Sequence, residues 1–510
     1  MGSGCMSRGS GGARQLFPGA SEICVVLPRD GAALGPDGER ALAGFRELLY
    51  RERAEIEAEC GVPARFVDTD PGDGPRWLIG PAAWNPAINR YPRRGEGQAG
   101  VWFDRERQVL ITDAPDLFGV IEAISLIRTL IMTGQDAVFV SECRDLDEAI
   151  ERITREVGWT YPSFALRGLD WDAICARHRE RVAQAADPLA AIHTWLAELQ
   201  DAHTWVKPSP APVPLPYQVW VEGDTAVFTR VPQGTAAWDA GVRPGDVLLD
   251  VDTAGWWART GSTPHAKPLM TGYRLLSTPV GVERTLAARR ADGRRVEWRE
   301  VGSIDPPYPL VTWTRLPSGS GYLRIEAWRA DRDVDAAIDA AFADLAGTDR
   351  LIVDLRGNGG GNLALALSFR DRFLHEPTVL GSIRFSTGPG ELSPPAPITG
   401  EPADERRRWH GAVRFLTDPM TYSASEDALL GLQGLPHVRV VGEPSGGGSG
   451  RPRTLRLLPG MTLTVSTALT YDRHGRCIEG TGIPVDHYVV PERFSHGAED
   501  TVLRAADRTW

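Results

Sequence analysis

The stretch LIVDLRGNGGG, residues 351–361, runs a block of strand-forming apolar residues straight into a loop with glycine at 357, 359, 360 and 361. An apolar, helix-like LALALSFRDRFL follows at 363–374. A strand, bare backbone and then a helix place N–H groups where a bound group can approach closely. A phosphate cradle is one use of such a loop, but GNGGGN fits neither G-x-G-x-x-G nor a loop closing on G-K-[ST], and no lysine is near. An oxyanion hole needs only one or two N–H groups, which this loop can supply.

A chain of 510 residues exceeds one hydrophobic core, and at about 100–200 residues per domain it implies three or four domains. Its 42% apolar and 24% charged residues are ordinary for a soluble enzyme. The net charge of −11 favours neither nucleic acid nor an anionic membrane as partner. Cys5, Cys24, Cys60, Cys143, Cys175 and Cys477 form no CxxC or CxxH pattern. Free thiols in a reducing compartment, no metal and no cofactor are therefore expected. The longest apolar run, LFGVIEAISLIRTLIM at 117–132, is interrupted by Glu122 and Arg128. It reads as an amphipathic helix rather than a membrane span, and the expected location is cytoplasmic.

Residues 1–20 read as a flexible tail and 21–155 as an N-terminal α/β domain without a recognisable catalytic constellation. Residues 156–210 turn helical and carry LQDAHTWV, with KPSPAPVPLP (207–216) as a proline-rich linker. Residues 211–303 show short alternating strands around AGVRPGDVLLDVD (240–252), which resembles a PDZ domain. That resemblance implies capture of an extended peptide by strand addition; a β domain that merely covers the site is the alternative. Residues 304–510 alternate strand and helix, as in an α/β sheet layered with helices.

Two further segments carry chemistry. In FLTDPMTYSASEDALLGL a strand reaches a helix through TYSASE, so a serine at the turn is exposed beside the next N–H, as in a nucleophile elbow. The same Ser423-Ala424-Ser425-Glu426 also fits a capping box that needs no chemistry. IEGTGIPVDHYVV (478–490) places Glu479 in a glycine-rich turn, with His487 on a strand-like run where packing is the expected role. His203 taken alone is as readily a surface or core histidine.

DLRGNGGG, TYSASE, VVGEPSGGG, GRCIEGTGIPVD and the PDZ-like segment occur in the order seen in the C-terminal-processing, or tail-specific, serine peptidases, and the chain resembles that family over about residues 158–492. YPSFALRGLDWDAICARHR followed by LQDAHTWV resembles the branch related to the tricorn protease core. The resemblance implies a ClpP/crotonase-like α/β core with an inserted PDZ-like domain. One branch of the family uses a lysine base in the loop after VVGE. Here Gly448 falls at that place, and Lys207 and Lys267, the two lysines of the chain, lie elsewhere. The tricorn-like branch implies Ser423 as nucleophile, His203 as general base and Glu479 as its orienting acid, with Gly359 or Gly360 and Ala424 N–H groups as the oxyanion hole. The family's serine beside the histidine is Ala202 here. Glu479 must then reach His203 directly, through water, or through Thr204 or Thr481, with Asp201 in reserve. The implied substrate is a peptide or protein C-terminus, and assembly as a homo-oligomer is compatible with the family. An esterase, lactonase or acyltransferase would use the same acyl-enzyme, and a non-catalytic ligand-binding relative would use the same scaffold.

Overall fold

The computed structural model describes residues 16–29, 35–51, 53–92, 95, 98–493, 500–508 and 510. The expected tail therefore lies, through residue 15, outside the described residues. The chain forms two compact units, one of Met1–Pro162 with Phe385–Pro394 and Arg453–Thr467, the other of Ser163–Arg384, Pro395–Pro452 and Ala468–Trp510.

The first unit is built on a six-stranded sheet ordered Ala64–Val67, Ile23–Val26, Arg76–Ile79, Val109–Asp113, Gly100–Asp104, Ala137–Phe139. The first four strands are parallel, and both faces are covered, as the fully buried Ile23–Val26 shows. A hairpin forms at 100–113, Gly100–Asp104 pairing antiparallel with Val109–Asp113. The apolar run at 117–132 forms two helices, Leu117–Ile124 and Ile127–Thr133, rather than one. At the break, Ser125 Oγ donates to the Ile121 carbonyl at 3.2 Å, a bond that competes with helix continuation.

The second unit opens with helices Trp171–Ala183 and Pro188–Ala197, capped by Asp170 and Asp187. A five-stranded antiparallel sheet follows, ordered Arg295–Val301, Glu283–Arg289, Val247–Leu249, Thr225–Arg230, Gln218–Glu222. Alternation puts Val219, Val221, Phe228, Leu286 and Trp298 on its buried side. Helix Lys267–Leu275 closes on the edge strand so tightly that a Cβ on Gly272 would lie 2.0 Å from the Val219 carbonyl oxygen.

The α/β pattern of the later sequence becomes a six-stranded sheet, ordered Val311–Arg315, Gly321–Ile325, Arg350–Asp354, Ala412–Thr417, Val438–Gly442, His487–Tyr488. All pairs after the first are parallel. Trp328, Phe369, Phe373 and Phe415 fill its core, Phe369 and Phe373 meeting edge to face at 5.1 Å. The loops that follow Asp354 and Thr417 therefore emerge side by side at the carboxyl ends of neighbouring parallel strands, where open α/β sheets place their sites. One expectation is corrected here: His487 is exposed on the short edge strand and has no packing role. Helix Ala424–Leu429 ends at Leu430, whose ψ of 124° leaves the helical region, and Gly431 then takes a left-handed φ of 74° against Leu380, where a Cβ would lie 2.5 Å from the Leu380 Cα.

Candidate active site

Ser423 sits between the buried strand Ala412–Thr417 and helix Ala424–Leu429 with φ 57° and ψ −123°. That conformation is strained for any residue with a Cβ, and it persists only where the surroundings hold it. They do so through Glu426: the Ser423 N–H donates to Glu426 Oε2 at 3.0 Å, and the Glu426 N–H returns to the Ser423 carbonyl at 2.8 Å. The S-x-x-E pattern thus serves both of its sequence readings, since Glu426 holds the turn while the Ser423 hydroxyl faces His203. Ser425 is engaged elsewhere, its Oγ accepting from Trp328 Nε1 at 2.9 Å.

His203 Nε2 lies 3.1 Å from Ser423 Oγ, although the two are 220 residues apart. The loop that carries His203 is fixed by Asp201, whose carboxylate accepts from the His203 N–H at 2.9 Å and from Thr204 Oγ1 at 2.7 Å. Arg274 Nη2 donates to the Ala202 carbonyl at 3.1 Å, and Tyr422 lies against the imidazole with ring centroids 5.0 Å apart. Burial lowers the His203 pKa to about 4, against the opposing charge of Asp201 and with help from Lys207 and Arg274. Its Nδ1 is buried and has no hydrogen-bond partner among the described residues.

The glycine loop abuts the serine. A Cβ on Gly360 would lie 2.8 Å from Ser423 Cβ and 3.0 Å from the Ala424 nitrogen, so only glycine allows this approach. The Gly360 N–H is committed to Asn358 Oδ1 at 3.0 Å. Of the three N–H groups expected to face an oxyanion, those of Gly359 and Ala424 are the ones left to serve, and the space beside the Gly359 Cα is open to 4 Å.

Glu479 is not joined to His203. Its Oε1 accepts from the Ser449 N–H at 3.1 Å, Ser449 Oγ at 3.0 Å and the Gly450 N–H at 3.0 Å. Neither bridging hydroxyl spans the gap: Thr204 donates to Asp201, and Thr481 donates to the Cys477 carbonyl at 3.1 Å. Burial, with the charges of Glu426 and Asp201, pushes the Glu479 carboxyl up to about 8. Glu426 clasps the other half of the same loop, accepting from Ser445 Oγ at 2.7 Å and from the Gly447 and Gly448 N–H groups at 2.8 and 2.9 Å. Burial raises it to about 7. The loop 445–450 is thus held end to end by two carboxyls, and it carries no lysine. Among the described residues, no group of three or more His, Cys, Asp or Glu side chains is arranged to hold a metal ion.

Tyr422 and Ser449, to which the sequence alone assigns no role, matter through His203 and Glu479, partners brought in by the fold.

Residues 319–489 match the model of peptidase family S41, a segment that contains the glycine loop, Ser423 and Glu479 but not His203. The chain is 25% identical over 256 residues to the carboxyl-terminal-processing protease of Synechocystis sp., covering 50% of this chain and 57% of that one. It is 28% identical over 277 residues to the carboxy-terminal-processing protease of Bartonella bacilliformis, covering 51% and 58%. It thus spans little more than half the length of these curated relatives. The fold is similar to that of mature CPAF complexed with lactacystin, with a TM-score of 0.52 at 15% identity over 67% of this chain and 93% of that one. Together with the strand–glycine loop–serine geometry, these matches make residues 319–489 a segment similar to peptidase family S41.

Proposed function

We propose that this protein is a serine peptidase that cleaves polypeptides near their C-termini through an acyl-enzyme on Ser423. The observation that carries the reading is the 3.1 Å contact between His203 Nε2 and the hydroxyl of a serine held in a strained turn. With the imidazole neutral near pH 7, Nε2 accepts the Ser423 proton as Oγ attacks the scissile carbonyl carbon. The oxyanion of the tetrahedral intermediate is received by the Gly359 and Ala424 N–H groups. His203 then passes the proton to the leaving amine. Water, deprotonated by the same nitrogen, hydrolyses the ester. Asp201 supplies negative charge next to the transient imidazolium. Glu479 enters as the residue that holds loop 445–450 behind Tyr422, with no bond to His203 required.

The five-stranded sheet is read as a PDZ-like module that captures the substrate as an extended peptide. The similarity to two carboxyl-terminal-processing proteases supports the choice of polypeptide C-termini. Intact-mass measurement after fluorophosphonate treatment, paired with mass-spectrometric cleavage mapping of a peptide library, tests the proposal. A single adduct lost in Ser423→Ala and slowed in His203→Ala is expected, together with cleavage that Ser423→Ala abolishes. Equal background cleavage by wild type and Ser423→Ala would reject a peptidase. Adduct formation with turnover of esters alone would favour an esterase or acyltransferase.

A further inference from the structure

Asp418 follows the nucleophile strand and is only 8% exposed. Its Oδ1 accepts from three backbone N–H groups: Gly357 in the glycine loop at 2.9 Å, and Met420 and Thr421 in the turn before Ser423, each at 3.0 Å. Its Oδ2 accepts from Gln218 Nε2 at 3.1 Å, on the edge of the five-stranded sheet. Two neighbouring bonds reinforce the junction, Thr421 Oγ1 to the Leu355 carbonyl at 3.0 Å and the Tyr422 N–H to the Asn358 carbonyl at 3.1 Å. One carboxylate oxygen therefore staples together the two loops that carry Gly359 and Ala424.

We propose that Asp418 is a positioning residue that sets the spacing between the two oxyanion donors, and that its position rather than its charge performs this role. The proposal rests on the serine-hydrolase reading above. Donors of this kind stabilise a developing charge only when they are already in place, without reorganisation. Gly359, Gly360 and Gly361 have no side chains to anchor their segment, so its placement must come from bonds to its backbone. Asp418 supplies a backbone bond just before that segment, at Gly357, and anchors the facing turn with the same atom.

The test compares wild type with Asp418→Asn, Asp418→Glu and Asp418→Ala, using p-nitrophenyl acetate as substrate, active sites counted by fluorophosphonate, and melting temperature to confirm the fold. Asn keeps an acceptor oxygen in place for the three N–H groups, and the Gln218 amide can turn to meet its NH₂ group. Asp418→Asn should keep most of its kcat. Asp418→Glu retains the charge but displaces the oxygen, and with Asp418→Ala it should lose about 10²-fold in kcat with KM little changed. If Asp418→Ala does not fold, the Asn and Glu pair carries the test. Glu and Ala variants with wild-type kcat, or an Asn variant as slow as Ala, overturn the inference while leaving the hydrolase reading intact. A wild type that takes no fluorophosphonate overturns both.

Discussion

A Cβ placed on Gly448 would lie 1.9 Å from the hydroxyl oxygen of Tyr422 and 2.3 Å from its Cζ. The tyrosine whose ring lies against His203 thus fills the room in which a side chain at 448 would have to start. No lysine stands at 448, and none could start there without displacing Tyr422.

Gly448→Ala should therefore destabilise the fold by about 1–3 kcal/mol, the usual cost of overpacking a closed site. In a double-mutant cycle with Tyr422→Ala, the two losses should be less than additive, because removing the ring removes the clash. Denaturant unfolding of the four proteins measures the coupling. Additive losses would show that the two residues do not compete for space.

Replacing Ser423 or His203 by Ala should each lower kcat by on the order of 10⁶-fold, and the double variant should be no slower than either alone. Steady-state kinetics on a peptide taken from the library decides this. Additive effects would mean that the two side chains do not act as one unit.

The pH dependence follows from the buried imidazole. The His203 pKa falls from about 6.5 unfolded to about 4 in the fold. Between those values the unfolded chain binds the extra proton, so this group's stabilisation is full above about pH 6.5 and is lost as pH falls through about 4. The acid limb of kcat/KM should accordingly lie near pH 4 rather than 6.5. His203→Asn should flatten the melting-temperature profile between these values. A wild-type acid limb at pH 6.5 contradicts the assignment.

Glu479 has the opposite sign. Its carboxyl is raised from 4.5 to about 8, so the folded state holds the proton longer, and stability falls as pH rises through that range. Glu479→Gln keeps an acceptor for Ser449 and Gly450 and should raise the melting temperature at pH 9 while changing little at pH 4. At about 1.4 kcal/mol per pKa unit the gain at high pH is a few kcal/mol at most. Because Glu479 does not touch His203, kcat at pH 7 should stay within about tenfold of wild type. A loss near 10⁴-fold, the scale seen when a triad acid is replaced by its amide, would restore Glu479 as orienting acid.

Much of this site was legible in one dimension because its parts are local. A strand ending in LRGNGGG and a strand turning through TYSASE each specify their own backbone, and the α/β alternation around them specifies a layered sheet. The capping pattern at Ser423 was readable for the same reason, since its partner Glu426 is three residues away. What the sequence could not settle were partners across the chain. The meeting of His203 with Ser423 depends on packing between segments 220 residues apart. Glu479 is drawn to Ser449, 30 residues away, instead of His203, and one oxygen of Asp418 ties two loops. A hydrogen-bonding group takes whichever partner the folded backbone brings within about 3 Å, so local sequence determines which groups are available and only tertiary packing decides how they pair.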